Sequence, residues 1–145
     1  MKRMPTIKSV MTTFPYSVDV SEPVQVALDL MDEHNIRHLP VTDENTLVGV
    51  IADRELRLFM NPDLTLTNAG LTVRNVYIPQ PYVVDLDEPL DQVAATMAER
   101  HIGSALVTRK GKLVGIFSAS DGCRALAEIL RDQFRTLDSE GGDAA

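Results

Sequence analysis

The sequence predicts an α+β fold in which one small β-α-β-β-α unit occurs twice. The second half repeats the first, because Gly49 corresponds to Gly115 at an offset of 66 residues that holds without a gap from Val10 to about Leu58. Strand-like and helix-like hydrophobic patterns also follow in the same order in both halves. A unit of this size is marginally stable alone, so the two copies are expected to share a core. Identical pairs at this offset include Val10/Val76, Pro15/Pro81, Tyr16/Tyr82, Asp19/Asp85, Glu22/Glu88 and Pro23/Pro89.

Each copy opens with a short strand and an amphipathic helix. The phrases "YSVDV" (residues 16–20) and "YVVDL" (residues 82–86) alternate apolar and polar side chains, as strands do. Ser21 and Asp87 are then predicted as N-caps, with the next proline in the first helical turn. Apolar residues follow at the i, i+3, i+4, i+7 spacing of a helix. They are Val24, Ala27, Leu28 and Met31 in the first copy and Leu90, Val93, Ala94 and Met97 in the second.

Each copy continues with two apolar runs joined by a polar turn, "HLPVT-DEN-TLVGVI" and "SALVT-RKG-KLVGIF", which predict a β-hairpin. A helix follows the hairpin, brief after Asp53 and longer from about Ala119 to Phe134. These elements set the predicted boundaries: copy one at residues 8–60, a connector at 61–73, copy two at 74–134, and a disordered acidic tail at 135–145.

Composition excludes several functional classes for this 145-residue chain. A net charge of −7 argues against binding to duplex nucleic acid, whose affinity comes from clustered basic side chains. The single cysteine, Cys123, excludes an intrachain disulfide and favours a reducing compartment. The N-terminal segment lacks the apolar region of a signal peptide, and no run approaches the roughly 18 apolar residues of a membrane helix. We expect a soluble, cytoplasmic protein.

The phrase "GIFSASD", residues 115–121, places a carboxylate just beyond a predicted buried strand. Ser118 and Asp121 have the spacing of a capping box, in which both side chains satisfy free amides at a helix start. The same helix start suits an anionic ligand, and a carboxylate one turn into the helix can accept both hydroxyls of a ribose. Taken alone, the residues leave both roles open, since Ser118 can cap while Asp121 points into a cleft.

The duplicated pattern, with "IRHLPV" at residues 36–41 and "GIFSASD", resembles a tandem pair of CBS domains, the family named for cystathionine β-synthase. The resemblance covers residues from about 10 to 130. It implies two copies packed through their sheets into one module with pseudo-twofold symmetry. Two clefts between the copies would bind adenosine-containing ligands such as AMP, ADP, ATP or S-adenosylmethionine. The family motif is G-h-h-[S/T]-x-x-D, where h is an apolar residue.

Carried onto this sequence, the motif implies that Asp121 holds the ribose hydroxyls and Ser118 touches the ribose or first phosphate. The first copy departs from the motif, because Ala52 replaces the hydroxyl residue and Glu55 replaces the aspartate, although Arg54 keeps a basic residue. One competent cleft at Asp121 is therefore expected. The adenine would lie against Ile78, Pro79, Tyr82 and Val83, with apolar cover from Ala105 and Ile116. A second, degenerate cleft would comprise Ala52, Arg54, Glu55, Thr13 and Ser17 and would be weak, altered or empty.

Basic residues just before the Pro-Val of the second strand often reach a phosphate in this family. Arg37 and His38 precede Pro40 here, whereas the second copy has Gly103 and Ser104. Because the pseudo-twofold axis would bring the copies together, Arg37, His38 and Pro40 are expected to serve the Asp121 cleft. The alternative for Arg37 and His38 is that both are solvated surface residues.

The resemblance implies a stand-alone regulatory module that binds an adenosine-containing ligand and signals to a partner protein. The alternative is a constitutive interaction or scaffold subunit with degenerate clefts. Catalysis is not expected, since Ser118 stands one place late for the G-x-S-x-G motif of hydrolases. No cofactor is required and no metal site is predicted, because His34 and His38 do not share a helical face. Mg²⁺ would enter only with a nucleotide.

The last helix has an apolar stripe, and in the family such helices join two modules into a flat homodimer. The alternative is that the stripe packs into the chain's own core. Cys123 is expected to be a small buried residue within the stripe. The stripe comprises Cys123, Leu126, Ala127, Leu130 and Phe134.

Overall fold

The computed structural model describes residues 3–60 and 70–135; most of the predicted connector and nearly all of the predicted tail lie outside the described residues. The order of elements repeats at the 66-residue offset seen in the sequence. The first copy contains β1 (Thr12–Thr13), β2 (Val18–Asp19), α1 (Val24–His34), β3 (His38–Asp43), β4 (Thr46–Ala52) and α2 (Asp53–Phe59). The second contains β5 (Ile78–Pro79), β6 (Val83–Asp85), α3 (Leu90–Arg100), β7 (Ser104–Arg109), β8 (Lys112–Ser118) and α4 (Ala119–Leu130).

The two copies exchange their leading strands. One sheet has the order β2-β3-β4-β5 and the other has the order β1-β8-β7-β6. Strand β1 of the first copy pairs antiparallel with β8 of the second, with Thr13 opposite Gly115. Strand β5 of the second copy pairs antiparallel with β4 of the first, with Pro79 opposite Gly49. Each sheet therefore contains backbone from both copies, which the sequence pattern did not predict.

The exchange continues into the two cores through short 3₁₀ turns at Ile7–Ser9 and Val73–Asn75. Ile7 is fully buried in the core of the second copy, and its N–H donates to the carbonyl of Glu88 at 2.9 Å. Val73 is equally buried in the core of the first copy, and its N–H donates to the carbonyl of Glu22 at 2.9 Å. Apolar burial and backbone hydrogen bonds thus hold each leading segment on the other copy.

A third apolar cluster joins the two sheets and confirms that the copies pack through them. It is formed by buried Val50 on β4 with Leu106 and Ile116 on β7 and β8, and Leu47 and Leu113 pack against it at partial exposure. Val50 and Ile116 are equivalent positions of the repeat, as are Leu47 and Leu113. The interface is therefore nearly symmetric, as the pseudo-twofold arrangement requires.

Three of the four residues of each helix stripe are buried, whereas Leu28 is partly exposed and Ala94 is exposed, and the predicted N-caps are wrong. Of the first stripe, Val24, Ala27 and Met31 are buried, and of the second, Leu90, Val93 and Met97 are buried. Pro23 and Pro89 themselves occupy the N-cap positions, without a side-chain cap. Ser21 does not cap α1 because its hydroxyl donates to Asp19 at 2.7 Å. The same Ser21 contacts, through hydroxyl and backbone, lower the pKa of the Asp19 carboxyl.

Helix α4 presents an apolar face to solvent. Only Asp121 and Ala125 of this helix are buried, and Cys123 is exposed, so the expectation of a buried cysteine is wrong. A short π-helix, Arg131–Arg135, extends the same helix. Within the described ranges, no helix has both the length and the apolar character needed to cross a membrane. The large exposed apolar side chains on this face are Leu126, Ile129, Leu130 and Phe134.

Two equivalent glycines provide a test of the strand exchange. A Cβ built on Gly49 would collide with the carbonyl oxygen of Ile78 and the ring of Tyr77, so backbone must move. A Cβ built on Gly115 would collide only with the flexible side chain of Met11. We expect Gly49→Ala to lower the free energy of unfolding by about 2–3 kcal/mol, and Gly115→Ala by about 1 kcal/mol or less, measured by urea denaturation. Equal losses would contradict the close approach of β5 to β4.

Candidate functional site

Asp121 forms the capping box that its spacing predicts. Ser118 is the N-cap of α4, and its hydroxyl accepts the backbone N–H of Asp121 at 3.2 Å. In return, the Asp121 carboxylate accepts the backbone N–H of Ser118 at 2.9 Å and its hydroxyl at 3.1 Å. One of the two roles left open by the sequence is therefore present in the structure, and it occupies Oδ2 of the carboxylate.

Two further side chains complete the surroundings of the Asp121 carboxylate. Arg124 donates to Oδ1 at 2.9 Å from one turn further along α4. The Thr12 hydroxyl, on the exchanged strand β1, lies 3.4 Å from both oxygens. Asp121 is only 8% exposed, so both oxygens are covered by protein donors. A ribose bound here would have to take the place of Thr12 and Arg124.

A cavity of about 780 Å³ lies at the other copy of the motif, beside residues 52–55. Seven of the predicted site residues line it: Arg37, His38, Ala52, Arg54, Glu55, Ile78 and Tyr82. Ser118 and Asp121 are not among its lining residues. The cleft that was expected to be weak, altered or empty therefore has a large volume, and both copies form its walls.

The strand exchange explains which residues meet at this cavity. Because β5 lies along β4, Ile78 is opposite Val50 and close to the motif residue Ala52. The loop after α3 completes the wall with His101, Ile102, Gly103 and Ser104. The prediction that Ile78 and Tyr82 surround Asp121 is thus corrected, since both residues line the cavity beside residues 52–55. Thr12 and Thr13 lie beside the Asp121 motif instead.

The cavity combines an apolar wall with a basic rim. Val50, Ile78, Tyr82 and Ile102 provide the apolar part, and the four arginines among its described lining residues are Arg37, Arg54, Arg57 and Arg100. The guanidinium of Arg100 lies over the ring of Tyr82, 5.2 Å from its centroid. Arg54 and Glu55 are exposed and form no ion pair within the described part of the chain. A ligand could therefore reach both side chains without displacing an ion-pair partner among residues 3–60 and 70–135.

Asp53 is the buried charge of this cavity. It is the first residue of α2 and is 8% exposed. Its carboxylate accepts from Arg37 Nη1 at 3.3 Å and from Arg57 Nε at 2.8 Å. Arg57 also contacts Asp32 on α1 at 2.9 Å, and its pKa is raised chiefly by the hydrogen bond to Asp53. A chain of ion pairs therefore connects the cavity wall to α1.

His38 lies where the two copies meet. A Cβ on Gly103 would stand 2.7 Å from its Nε2, so the missing side chain of Gly103 makes room for the imidazole. Burial lowers the pKa of His38, and the nearby Glu55 and Asp53 carboxylates oppose this effect. His38 is therefore neutral near pH 7 and offers the cavity a hydrogen-bonding ring rather than a charge. Arg37 and His38 face this cavity and not Asp121, which corrects their predicted cleft.

The remaining predicted site residues do not line the cavity. Ala105 is fully buried in the core of the second copy, and Ile116 is buried in the cluster between the sheets, so neither covers a bound base there. Pro40 is buried within β3 opposite Val50. The others are exposed and do not line the cavity: Pro79, Val83, Thr13 and Ser17.

Sequence reasoning missed part of the lining of this cavity. The residues predicted to bind a ligand did not include four that line the cavity: Asp53, Arg57, Arg100 and His101. A glycine inside a strand often marks a close approach of another backbone, so Gly49 and Gly115 were the available signal of the exchange. The Tyr16 and His34 rings, the repeat equivalents of Tyr82 and Arg100, stack at 3.8 Å.

Within residues 3–60 and 70–135, no three His, Cys, Asp or Glu side chains come together as metal ligands. Asp53 and Glu55, whose carboxylates could meet Mg²⁺ only if a nucleotide brought it, differ in their surroundings. Asp53 is held by two arginines, and Glu55 is exposed.

The chain is similar in sequence to several proteins of known name. It is 31% identical over 143 residues to inosine-5'-monophosphate dehydrogenase of Thermoplasma acidophilum. That match covers 97% of this chain and 27% of the dehydrogenase, so the chain spans about a quarter of this relative's length.

Solved structures share the whole architecture. A Vibrio cholerae chain named for acetoin utilization (AcuB) matches with a TM-score of 0.79 at 26% identity, covering 90% of this chain and 96% of that one. CBSX2, crystallised in complex with AMP, matches with a TM-score of 0.72 at 32% identity, covering 87% and 98%.

The family model described as CBS domain matches the sequence twice, at residues 7–62 and 73–128. Both matched segments begin at the short 3₁₀ turns that start the exchanged strands, and together they span more than half of the chain. The chain therefore belongs to the CBS domain family, as a tandem pair of these domains.

Proposed function

We propose that this CBS pair binds an adenosine-containing phosphate ligand, AMP, ADP or ATP, in the cavity beside residues 52–55. The observation that carries the proposal is the combination of an apolar wall and four arginines in one cavity of about 780 Å³. Such a volume falls within the range of small-molecule sites. Flat apolar surface suits a purine base, and guanidinium groups suit phosphate oxygens.

Each end of the ligand has a counterpart in this cavity. Val50, Ile78 and Tyr82 would contact the base, and Arg54 and Arg37 would contact the phosphates. Glu55 stands at the motif position of Asp121 and forms no ion pair with residues 3–60 or 70–135, so it is the group we assign to the ribose hydroxyls. A ribose there would find an open carboxylate, whereas the Asp121 carboxylate is covered by Thr12 and Arg124.

The choice of ligand class has two supports. The relative crystallised with AMP is 32% identical, which favours an adenine nucleotide. The basic rim favours ligands with phosphate over S-adenosylmethionine, because a sulfonium cation would face the arginines. The dehydrogenase relative does not extend this proposal to catalysis, since the chain matches 27% of that enzyme.

A regulatory role follows from the composition of the cavity walls. Because they come from both copies, a ligand that prefers one relative arrangement of the copies shifts the protein toward it. A partner protein would read that change. The competing function is a constitutive scaffold subunit, which would show no thermal stabilisation by adenine nucleotides, S-adenosylmethionine or Mg²⁺.

Calorimetric titration with AMP and ATP should locate the ligand. Glu55→Gln and Arg54→Gln are each expected to weaken binding about 10- to 100-fold, the value of a charge-assisted hydrogen bond of about 1.5–3 kcal/mol. Arg109→Gln, on an exposed residue at the end of β7 away from the cavity, is the matched control and should leave affinity within about twofold.

Asp121→Asn tests the alternative position in the same titration. We expect it to cost about 1 kcal/mol of stability through the weakened cap, measured by urea denaturation, while affinity stays within about threefold. A tenfold or larger loss of affinity in Asp121→Asn, with Glu55→Gln unchanged, would move the site to the Asp121 motif and reject the cavity. The ribose role implied for Asp121 by the resemblance stays a prediction until then.

We also propose that the exposed face of α4 pairs with the same face of a second chain. Leu126, Leu130 and Phe134 are 55%, 45% and 58% exposed, and a contiguous apolar face of this kind is typical of an interaction surface. Sedimentation at micromolar concentration should give twice the mass of one chain, and Leu130→Asp should give single chains. A single-chain mass for the unmodified protein would contradict the homodimer.

A further inference from the structure

We infer that Asp53 is an internal counter-anion that limits how strongly the cavity attracts a ligand's phosphate. It would thereby set the cavity's selectivity between a charged nucleotide and the uncharged nucleoside. This inference rests on the proposed function, because it concerns the phosphate end of the same site.

Asp53 lies in the cavity wall between two arginines. Its carboxylate lines the cavity and accepts from two of the cavity's arginines, Arg37 at 3.3 Å and Arg57 at 2.8 Å. The side chain of Arg37 is 75% exposed, and that of Arg57 is 53% exposed, so both remain accessible to a ligand. Guanidinium groups bind phosphate with the same donor geometry as carboxylate. An incoming phosphate therefore competes with Asp53 for these two arginines.

The second copy lacks both the carboxylate and the arginine of this ion pair. The position equivalent to Asp53 is Ala119, and the position equivalent to Arg57 is Cys123. Both helices nevertheless begin with the same backbone contact: Asp53 N–H donates to Arg37 at 2.8 Å, and Ala119 N–H donates to Gly103 at 2.9 Å. The helix start thus forms without a carboxylate at this position. The Asp53 carboxylate is therefore not needed for this backbone contact, although α2 lacks the Ser118–Asp121 capping box with which α4 begins.

The alternative role for Asp53 is purely structural, as part of the ion pairs that connect α2 to α1 through Arg57. Asp32 also contacts Arg57, at 2.9 Å, but it is exposed and does not line the cavity. A purely structural tie through Arg57 would depend on both carboxylates, whereas a ligand in the cavity lies beside Asp53 and not beside Asp32. Asp32→Asn is therefore the matched control, since it removes one negative charge from the same arginine outside the cavity.

The experiment measures the affinities of AMP and adenosine by calorimetry for the full chain and for Asp53→Asn, Asp53→Ala and Asp32→Asn. Each variant's fold is checked by circular dichroism. Alanine is included because the second copy carries it at the equivalent position. The ratio of AMP affinity to adenosine affinity is expected to rise about 5- to 10-fold in both Asp53 variants, and to change less than about twofold in Asp32→Asn.

A ratio that is unchanged or lower in a folded Asp53 variant would overturn the inference, and so would an equal rise in Asp32→Asn. Thermal melting with inorganic pyrophosphate, on the same proteins, follows the phosphate end alone. If AMP and adenosine both fail to bind the unmodified chain, the proposed function fails. A larger melting shift with pyrophosphate in Asp53→Asn than in the unmodified chain would then still support the role of Asp53, and equal shifts would reject it.

Discussion

The reciprocal exchange of leading segments is the constraint on which the structure depends. Ile7 fills the core of the second copy and Val73 fills that of the first, and β1 and β5 close the sheet of the other copy. Neither copy has a complete sheet or core without the other. The apolar contact of Val50 with Leu106 and Ile116 adds a nearly symmetric interface between the two sheets. Together these contacts fix the relative position of the two motif-bearing helix starts, α2 and α4.

The same backbone carries two chemically different helix starts. In the second copy, the Ser118 and Asp121 side chains form a reciprocal capping box. Arg124 donates to Oδ1 of the Asp121 carboxylate, and the Thr12 hydroxyl lies near both of its oxygens. In the first copy, Ala52 cannot form this cap, and the carboxylates stand at Asp53 and Glu55. The result is one covered carboxylate and one open, basic cavity. The cavity thus lies at the copy that departs from the family motif, where Ala52 offers Glu55 no capping hydroxyl.

Residues that face the cavity come from both copies and from three places in the fold. Arg37 and His38 lie at the start of β3, Ile78 is on the exchanged strand, and Arg100 ends α3. A ligand in contact with all of them would report on the packing of one copy against the other. This gives a physical basis for coupling between ligand binding and the shape of the module, without any catalytic group. The counter-anion Asp53 belongs to the same network, because Arg57 links it to α1.

The sequence by itself determined the duplication, the order of the main strands and helices and the capping box at Asp121, because these depend on local periodicity and on spacings within a few residues. It did not predict the short strands β1 and β5. It also predicted the apolar stripes of α1 and α3, and three of the four residues of each are buried. Only the tertiary structure decided which residues share a cavity. Ile78 and Tyr82 lie with Glu55 rather than Asp121, since strand pairing between distant segments is set by the fit of whole surfaces, at Gly49 and Gly115 above all. It also decided the register of the predicted hairpin, in which His38 lies opposite Ala52, and this register brings Asp53 to Arg37.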